Sequence, residues 1–504
     1  MWWECALALL GLAAAGLGAR AWCSAQGYTL YYGDAQAHLN IARRIVDSRT
    51  PGYEQIGTVW LPLPHLLMLP LVKDDNLWRS GMAGAIPSGA AFLAAGLFLF
   101  GAARRTFGSR AAGFAAAGIF AANPNLLYLQ STPMTEPLYF AGMLGLVYFV
   151  VLFAQTQSSL AVLGAAVCSN AASLTRYDGW FLIPFATLAV LLAARRRRLL
   201  YAALFGFLAS LGPLYWLAHN YWFYGDPLEF YRGQYSAKAI YQRALDAGMA
   251  KYPGDGEWDK AWLYFRSAAL SCAGPFLVWL AAAGGAVMLA RRAFLPLALL
   301  LPGPVFYLWS LHSSGTPIFV PYLWPNSWYN TRYGLAAFPL LVFAASALVM
   351  ALPERWRGFA AVVTVFLAAA PWLAYPRPDA WICWKEAQVN SEARRAWTQE
   401  TAEFLRANYT PHSGILTSFG DLAGVFPRAG IPLRETLHEG NDPFWTAALA
   451  RPDLFLWEEW VLAIGGDRVS SAMATSGRWG VRYPLVRSIT VKGGPVIEIY
   501  RRSR

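Results

Sequence analysis

The chain has 504 residues, of which 57% are hydrophobic, 15% aromatic and only 14% charged, with a formal net charge of +12. A soluble globular protein averages about 25% charged residues, so the composition excludes an ordinary water-soluble domain and points to a chain that crosses a bilayer many times. The positive charge does not point to nucleic acid, because much of it lies in short clusters beside apolar runs, as orientation signals do.

In chain order, eleven stretches approach the roughly 20 apolar residues that cross a bilayer. They are 5–22, 82–101, 111–127, 137–153, 160–174, 180–194, 199–217, 267–289, 294–311, 335–352 and 359–374. The first lacks the basic start of a signal peptide (Met1, Trp2, Trp3, Glu4) and reads as a retained anchor. Four basic clusters, Arg104/Arg105/Arg110, Arg195 to Arg198, Arg291/Arg292 and Arg355/Arg357, fall on one side if eleven spans are counted. The positive-inside rule makes that side cytoplasmic. The opposite side then holds 23–81, 123–136, 175–179, 218–266, 312–334 and the tail from Tyr375. The expected domains are therefore a membrane domain over 1–374 and a small extracytoplasmic α/β domain over 375–504. In the tail, "SEARRAWTQETAEFLRAN" reads as an amphipathic helix, and "GILTSF", "DLFLWEEWVLAIGG" and "VIEIYRR" carry strand-like runs between Gly, Pro and Asp turns.

The first outer loop opens with "YYGDAQAHLNIARRIVD". Wound at about 100° per residue, it places Gln36, Asn40, Arg43, Arg44 and Asp47 on a face for water or headgroups. Asp34 and His38 fall instead among Ala35, Ala37, Ile41, Ala42 and Ile45. Asp34 could cap the helix it begins, and a lone His on an apolar face is most often a satisfied core residue. One turn apart, the two could also form an acid/base site, where desolvation suits a carboxylate to general-base work. "GTVWLPLPHLLMLP" follows as a surface-lying segment in which His65 reads as structural.

Later loops add further candidates. Glu136 stands directly before an apolar run with Pro137 behind it. That suits a helix N-terminal acid, and equally a second carboxylate able to orient groups or hold a divalent cation with Asp34. "LTRYDGW" carries Arg176, Tyr177 and Asp178; "YNTRYGL" carries Arg332 and Tyr333. Such pairs are commonly snorkelling anchors and belt aromatics. These arginines, however, stand away from the positive-inside clusters, where a guanidinium is well made to clamp phosphate oxygens in bidentate fashion. "HNYWFYGDPLEFY" adds His219 and Asp226 on the same side. The five cysteines have no metal-ligand spacing, and only Cys23 and Cys383 lie outside the apolar runs, in position to pair. No GxxxxGK[ST] and no convincing GxGxxG is present.

With these features the chain resembles the GT-C superfamily of glycosyltransferases, in its polyprenyl- or dolichyl-phosphate-sugar-dependent branch. That branch includes protein O-mannosyltransferases and the bacterial transferases that add aminoarabinose to lipid A. The likeness rests on a short first span, a long first outer loop with an acid near its start, an acid in the second outer loop and an outer C-terminal domain. It implies a polytopic α-helical membrane enzyme that moves a sugar from a polyprenyl-phosphate donor to a glycan, lipid or protein acceptor. Asp34 would be the catalytic base, with His38 and Glu136 beside it. Arg332, with Arg176, Asp178, Tyr333 and His219, would bind substrate. The mannosyltransferase type often carries an adjacent acidic pair in the first loop; here Ala35 follows Asp34. A bacterial inner membrane is the expected location, with the site and C-terminus extracytoplasmic. The rival class, a transporter or flippase, places charges mid-span and shows repeated halves, neither of which this sequence displays.

Overall fold

The computed structural model describes residues 2–313 and 316–503; Met1 and Arg504, the first and last residues of the expected domains, lie outside them. The chain is mostly helical and is an integral, multi-pass membrane protein. Among the described residues seven helices are long and apolar enough to cross a membrane, or nine if each of two bent pairs is one span. Two shorter apolar helices, Ser159–Ser173 and Asp178–Ala193, bring helices to every one of the eleven expected stretches.

Two of those stretches are broken rather than continuous. Arg110–Ala121 and Pro124–Gln130 meet at 69°, and Trp258–Ala273 and Pro275–Ala290 at 102°. Proline cannot supply the N–H that would continue the first helix of each pair. At the first break the Asn123 side chain caps the new helix by accepting from Leu126 N–H at 3.0 Å. At the second, Gly274 takes φ 82°, a conformation that suits only glycine.

The chain forms two compact units. One holds the sequence up to Tyr28, Thr58–Pro64 and Ala85–Glu386; the other holds Thr29–Gly57, His65–Gly84 and the chain from Ala387 on. The second unit thus joins two pieces of the first loop to most of the tail that composition set apart. Its core explains why. Leu39, Ala42, Met68, Val72 and Trp78 of the loop share one apolar cluster with Leu405, Phe426, Trp460 and Ile497.

The sheet of that unit has five strands: β1 (Ile415–Thr417), β2 (Thr436–Leu437), β3 (Trp460–Ile464), β4 (Leu485–Thr490) and β5 (Val496–Arg501). Their order is β2-β1-β3-β5-β4. β1 runs parallel to β2 and β3, whereas β5 is antiparallel to β3 and β4. The three expected strand segments contain β1, β3 and β5. β2 is two residues long and β4 mostly exposed, so neither leaves the alternating pattern by which a strand is recognised.

All five cysteines are free thiols, Cys23 and Cys383 included.

Candidate functional site

The first-loop helix runs from Gly33 to Arg44, one residue ahead of Asp34. Its N-cap is Tyr32 and no side chain caps it, which removes the capping role considered for Asp34. Asp34 is half-buried in the first turn, where a carboxylate gains from the helix dipole. Gly33 beside it lets the Arg394 guanidinium lie close, since a Cβ there would stand 2.8 Å from Arg394 Nη1 and push that side chain aside. Arg394 donates to Tyr31 O, and the Arg395 guanidinium lies 4.0 Å over the Tyr31 ring. Neither arginine was foreseen as part of this region; the only signal was two adjacent arginines on an amphipathic helix.

His38 is buried, and its Nδ1 lies 2.9 Å from Nε2 of His65. One proton must sit between two ring nitrogens at that distance, so one imidazole donates and the other accepts. His65, read as structural from the sequence, is thus the partner of a candidate catalytic residue.

The face expected to meet water is instead buried. Asn40, Arg43 and Asp47 are all enclosed within the second unit, because their polar groups are satisfied there. Asn40 donates to Ala423 O at 3.3 Å and accepts from Trp78 Nε1 at 3.0 Å. Arg43 bonds Asp47 and Asp75, both at 2.8 Å, and the carbonyl of Val72. Asp47 accepts from the backbone N–H groups of Leu433 and Arg434. A helix with this many interior partners buries both faces at little net cost.

In the first unit, the other candidates converge. Glu136 begins the Glu136–Thr156 helix, with Pro137 in its first turn as the sequence suggested. Its Oε1 accepts from Arg332 Nε at 3.1 Å and from Arg176 Nη1 at 3.2 Å. Arg176 Nε also lies 3.4 Å from Asp178, and Nη2 bonds the Tyr307 hydroxyl. Arg332 Nη1 reaches Glu386 Oε1 at 3.2 Å. The Tyr333 ring receives both cations, with Arg176 5.2 Å and Arg332 5.1 Å from its centroid, inside the range of cation–π attraction. Two guanidiniums thus face three carboxylates, and Oε2 of Glu136 has no hydrogen-bond partner among the described residues. Glu386, buried and bonded to Arg332, went unnoticed because it lies eleven residues into what reads as the tail.

His219 lies instead among aromatic rings. It stacks on Trp216 with ring centroids 4.5 Å apart and packs near Phe223, on the Arg198–Tyr224 helix. Trp216 donates to the Tyr177 hydroxyl, which in turn donates to Val59 O. His219 therefore belongs to an aromatic support behind Tyr177. Asp226 pairs with Arg232 at 3.6 Å, apart from the candidates. Among the described residues no three His, Cys, Asp or Glu side chains gather as a metal site.

A polytopic helical unit and a unit built on a small mixed sheet make up a fold already known among membrane proteins. Two solved structures share it. One is ArnT from Cupriavidus metallidurans, in crystals bound to undecaprenyl phosphate: 13% identity, 97% of this chain and 98% of that chain covered, TM-score 0.58. The other is the Archaeoglobus fulgidus oligosaccharyltransferase in its apo form, at 14% identity with 94% and 71% covered and a TM-score of 0.51. At these identities the likeness is one of fold. No family model and no curated protein sequence matches the chain.

Proposed function

We propose that this protein is a membrane glycosyltransferase that moves a sugar from a polyprenyl-phosphate donor to an acceptor on the extracytoplasmic face. The observation that carries the reading is the convergence of Arg176 and Arg332, from two separate loops, on one Glu136 oxygen and one Tyr333 ring. Support comes from the fold it shares along its length with a transferase crystallised with undecaprenyl phosphate.

In this reading Asp34 takes the proton of the acceptor hydroxyl as that oxygen attacks the anomeric carbon. The bond from that carbon to the lipid phosphate breaks in the same displacement, so the configuration inverts. The leaving phosphate gathers negative charge, and fixed positive groups help most where charge develops. Arg332 and Arg176 supply them. Glu136 holds both guanidiniums in place and yields to the phosphate, whose oxygens then take its position on the two forks. Only one of its two oxygens is engaged, so the bonds to the two guanidiniums are all it exchanges. His38 and His65 offer the proton taken by Asp34 a way onward through their shared hydrogen bond.

The test is transfer from a labelled polyprenyl-phosphate sugar by detergent-solubilised protein supplied with a bacterial envelope extract. The expected result is a labelled glycoconjugate and free polyprenyl phosphate, with activity falling from wild type to Arg332→Lys to Arg332→Ala. Lys keeps the charge but loses the two-pronged geometry. Donor that remains intact across several donor sugars and acceptor fractions would contradict the reading.

A further inference from the structure

The contacts of Glu386 exceed what a simple ion pair requires. Its Oε1 accepts from Arg332 Nη1 at 3.2 Å and from the backbone N–H of Asn330 at 3.1 Å. Its Oε2 accepts from Thr331 N–H at 2.7 Å and from the Thr331 hydroxyl. One carboxylate therefore gathers two consecutive backbone amides, a hydroxyl and a guanidinium from three adjacent residues. Those residues are at a special point of the chain. Asn330 takes φ 53°, and the 3-10 turn Thr331–Ala337 starts directly after it. A left-handed residue before a helical turn aims successive N–H groups at one point, the arrangement that receives an anion. Here the anion is a side chain from the Ile382–Asn408 helix. Glu386 is 2% exposed and Thr331 fully buried, so water cannot replace either partner cheaply.

We infer that Glu386 is a positioning residue, which fixes the Asn330–Thr331–Arg332 segment and so aims the Arg332 fork at the donor phosphate. The inference rests on the donor reading above. A guanidinium carries five N–H groups in a rigid plane. Glu386 on Nη1 and Glu136 on Nε pin that plane at two points, and Tyr333 lies against it. When Glu136 yields to phosphate, Glu386 keeps the fork from swinging. Glu386 touches neither donor nor acceptor; it acts through Arg332.

The experiment measures binding of undecaprenyl phosphate to the full-length, detergent-solubilised protein for wild type, Glu386→Gln, Arg332→Lys and the double variant. Gln keeps the size but loses the charge, and sets an NH2 group against donors. Binding should weaken on the order of tenfold in Glu386→Gln, the scale of one lost charge-assisted contact. The double variant should bind no worse than Arg332→Lys alone, because residues acting as a unit are not additive. Amide hydrogen exchange at Asn330 and Thr331 should rise in Glu386→Gln. If Glu386→Gln does not fold, Thr331→Val removes only the hydroxyl, and should give a smaller loss of binding that is likewise absent in the Arg332→Lys background. Wild-type binding by these variants, or losses that add to that of Arg332→Lys, would overturn the inference while leaving the donor reading standing. Equal binding by wild type and Arg332→Lys would overturn the donor reading, and the inference with it, even if exchange at Asn330 and Thr331 had risen.

Discussion

Each compact unit buries a network of opposite charges, and the two networks are built differently. In the second unit Arg43 and Asp47 pair with the Asp75 and Arg434 side chains and also end on backbone: the Val72 carbonyl accepts from the arginine, and the Leu433 and Arg434 amides donate to the aspartate. The bonds to Val72, Leu433 and Arg434 tie this segment of the first loop to other parts of the same unit. In the first unit Arg176 and Arg332 meet chiefly side chains. Glu136, Asp178 and Glu386 surround them, Tyr333 lies between them, and one carboxylate oxygen is left over. A network that closes on backbone holds a fold. One that includes a carboxylate such as Glu136, whose hydrogen bonds come from side chains and whose second oxygen is to spare, can exchange that partner for a ligand, even though Glu386 beside it is held by backbone amides. The lesson is that a buried ion pair says little by itself; what its remaining atoms touch says more.

That contrast can be broken in several places. The largest effect is expected at Asp34, outside both networks. Asp34→Asn keeps the shape and removes the base, so transfer should fall by about 10²–10⁴-fold, the usual worth of an acid–base group. The melting temperature should fall only slightly, since the shape is kept and the helix-dipole gain given up is about 0.3–1 kcal/mol. A variant that transfers sugar at the wild-type rate would end the mechanism.

Next comes Arg43→Ala. It takes one of two guanidiniums from buried Asp47, which keeps Arg434 at 3.1 Å and two backbone amides, and a lost charge-assisted bond of this kind costs about 1.5–3 kcal/mol. Thermal unfolding in detergent should show a downward shift, and an unchanged midpoint would mean that the backbone-closed network is not structural. Glu136→Gln should behave in the opposite way. It keeps the fold, relieves the competition for the two guanidiniums, and should tighten binding of bare undecaprenyl phosphate by about tenfold while slowing transfer, since a stronger hold on the product is not catalysis. Weaker binding in this variant would contradict the exchange of Glu136 for phosphate.

The smallest effect concerns pH. His438 is buried in the second unit, and burial, then Arg44 and Arg49, holds its pKa well below the usual imidazole range. The unfolded chain therefore takes up this proton first as the pH falls. The stabilisation is complete above about pH 6.5 and is lost as the pH drops below it. Burial raises Glu439 above the usual carboxylate range and gives the opposite sign at lower pH, so the informative quantity is the difference between wild type and His438→Asn. From pH 7 to 5.5 the wild type should lose melting temperature faster than the variant. Parallel curves would show that His438 does not titrate as described.

Much of the membrane unit was legible in the sequence because lipid leaves few choices. Backbone groups must bond internally and side chains must be apolar, so the positions of all eleven helical stretches could be read directly. The breaks at Pro124 and Pro275 were less visible, because hydropathy continues across them. Glu136, Arg176 and Arg332 stood out as charges beside apolar runs, and they do converge. What composition could not reveal was tertiary. Asn40, Arg43 and Asp47 look like a solvated face until the groups from Asp75, Ala423 and Leu433 are brought to them. Glu386 looks like one of many tail acids until it meets the turn at Asn330. His219, at the same expected boundary, proves to stack on Trp216.

In the function proposed here the network around Glu136 in the first unit is a phosphate site, and the Arg43–Asp47 network of the second is a structural tie. The most direct measurement is binding of undecaprenyl phosphate, with melting temperature recorded on the same samples, for wild type, Arg332→Ala and Arg43→Lys. Arg332→Ala should lose at least tenfold in affinity, well beyond any effect on melting. Arg43→Lys, losing its forked contacts, should melt lower and, while folded, bind as the wild type does. Wild-type binding by Arg332→Ala, or weakened binding by folded Arg43→Lys, would contradict this assignment.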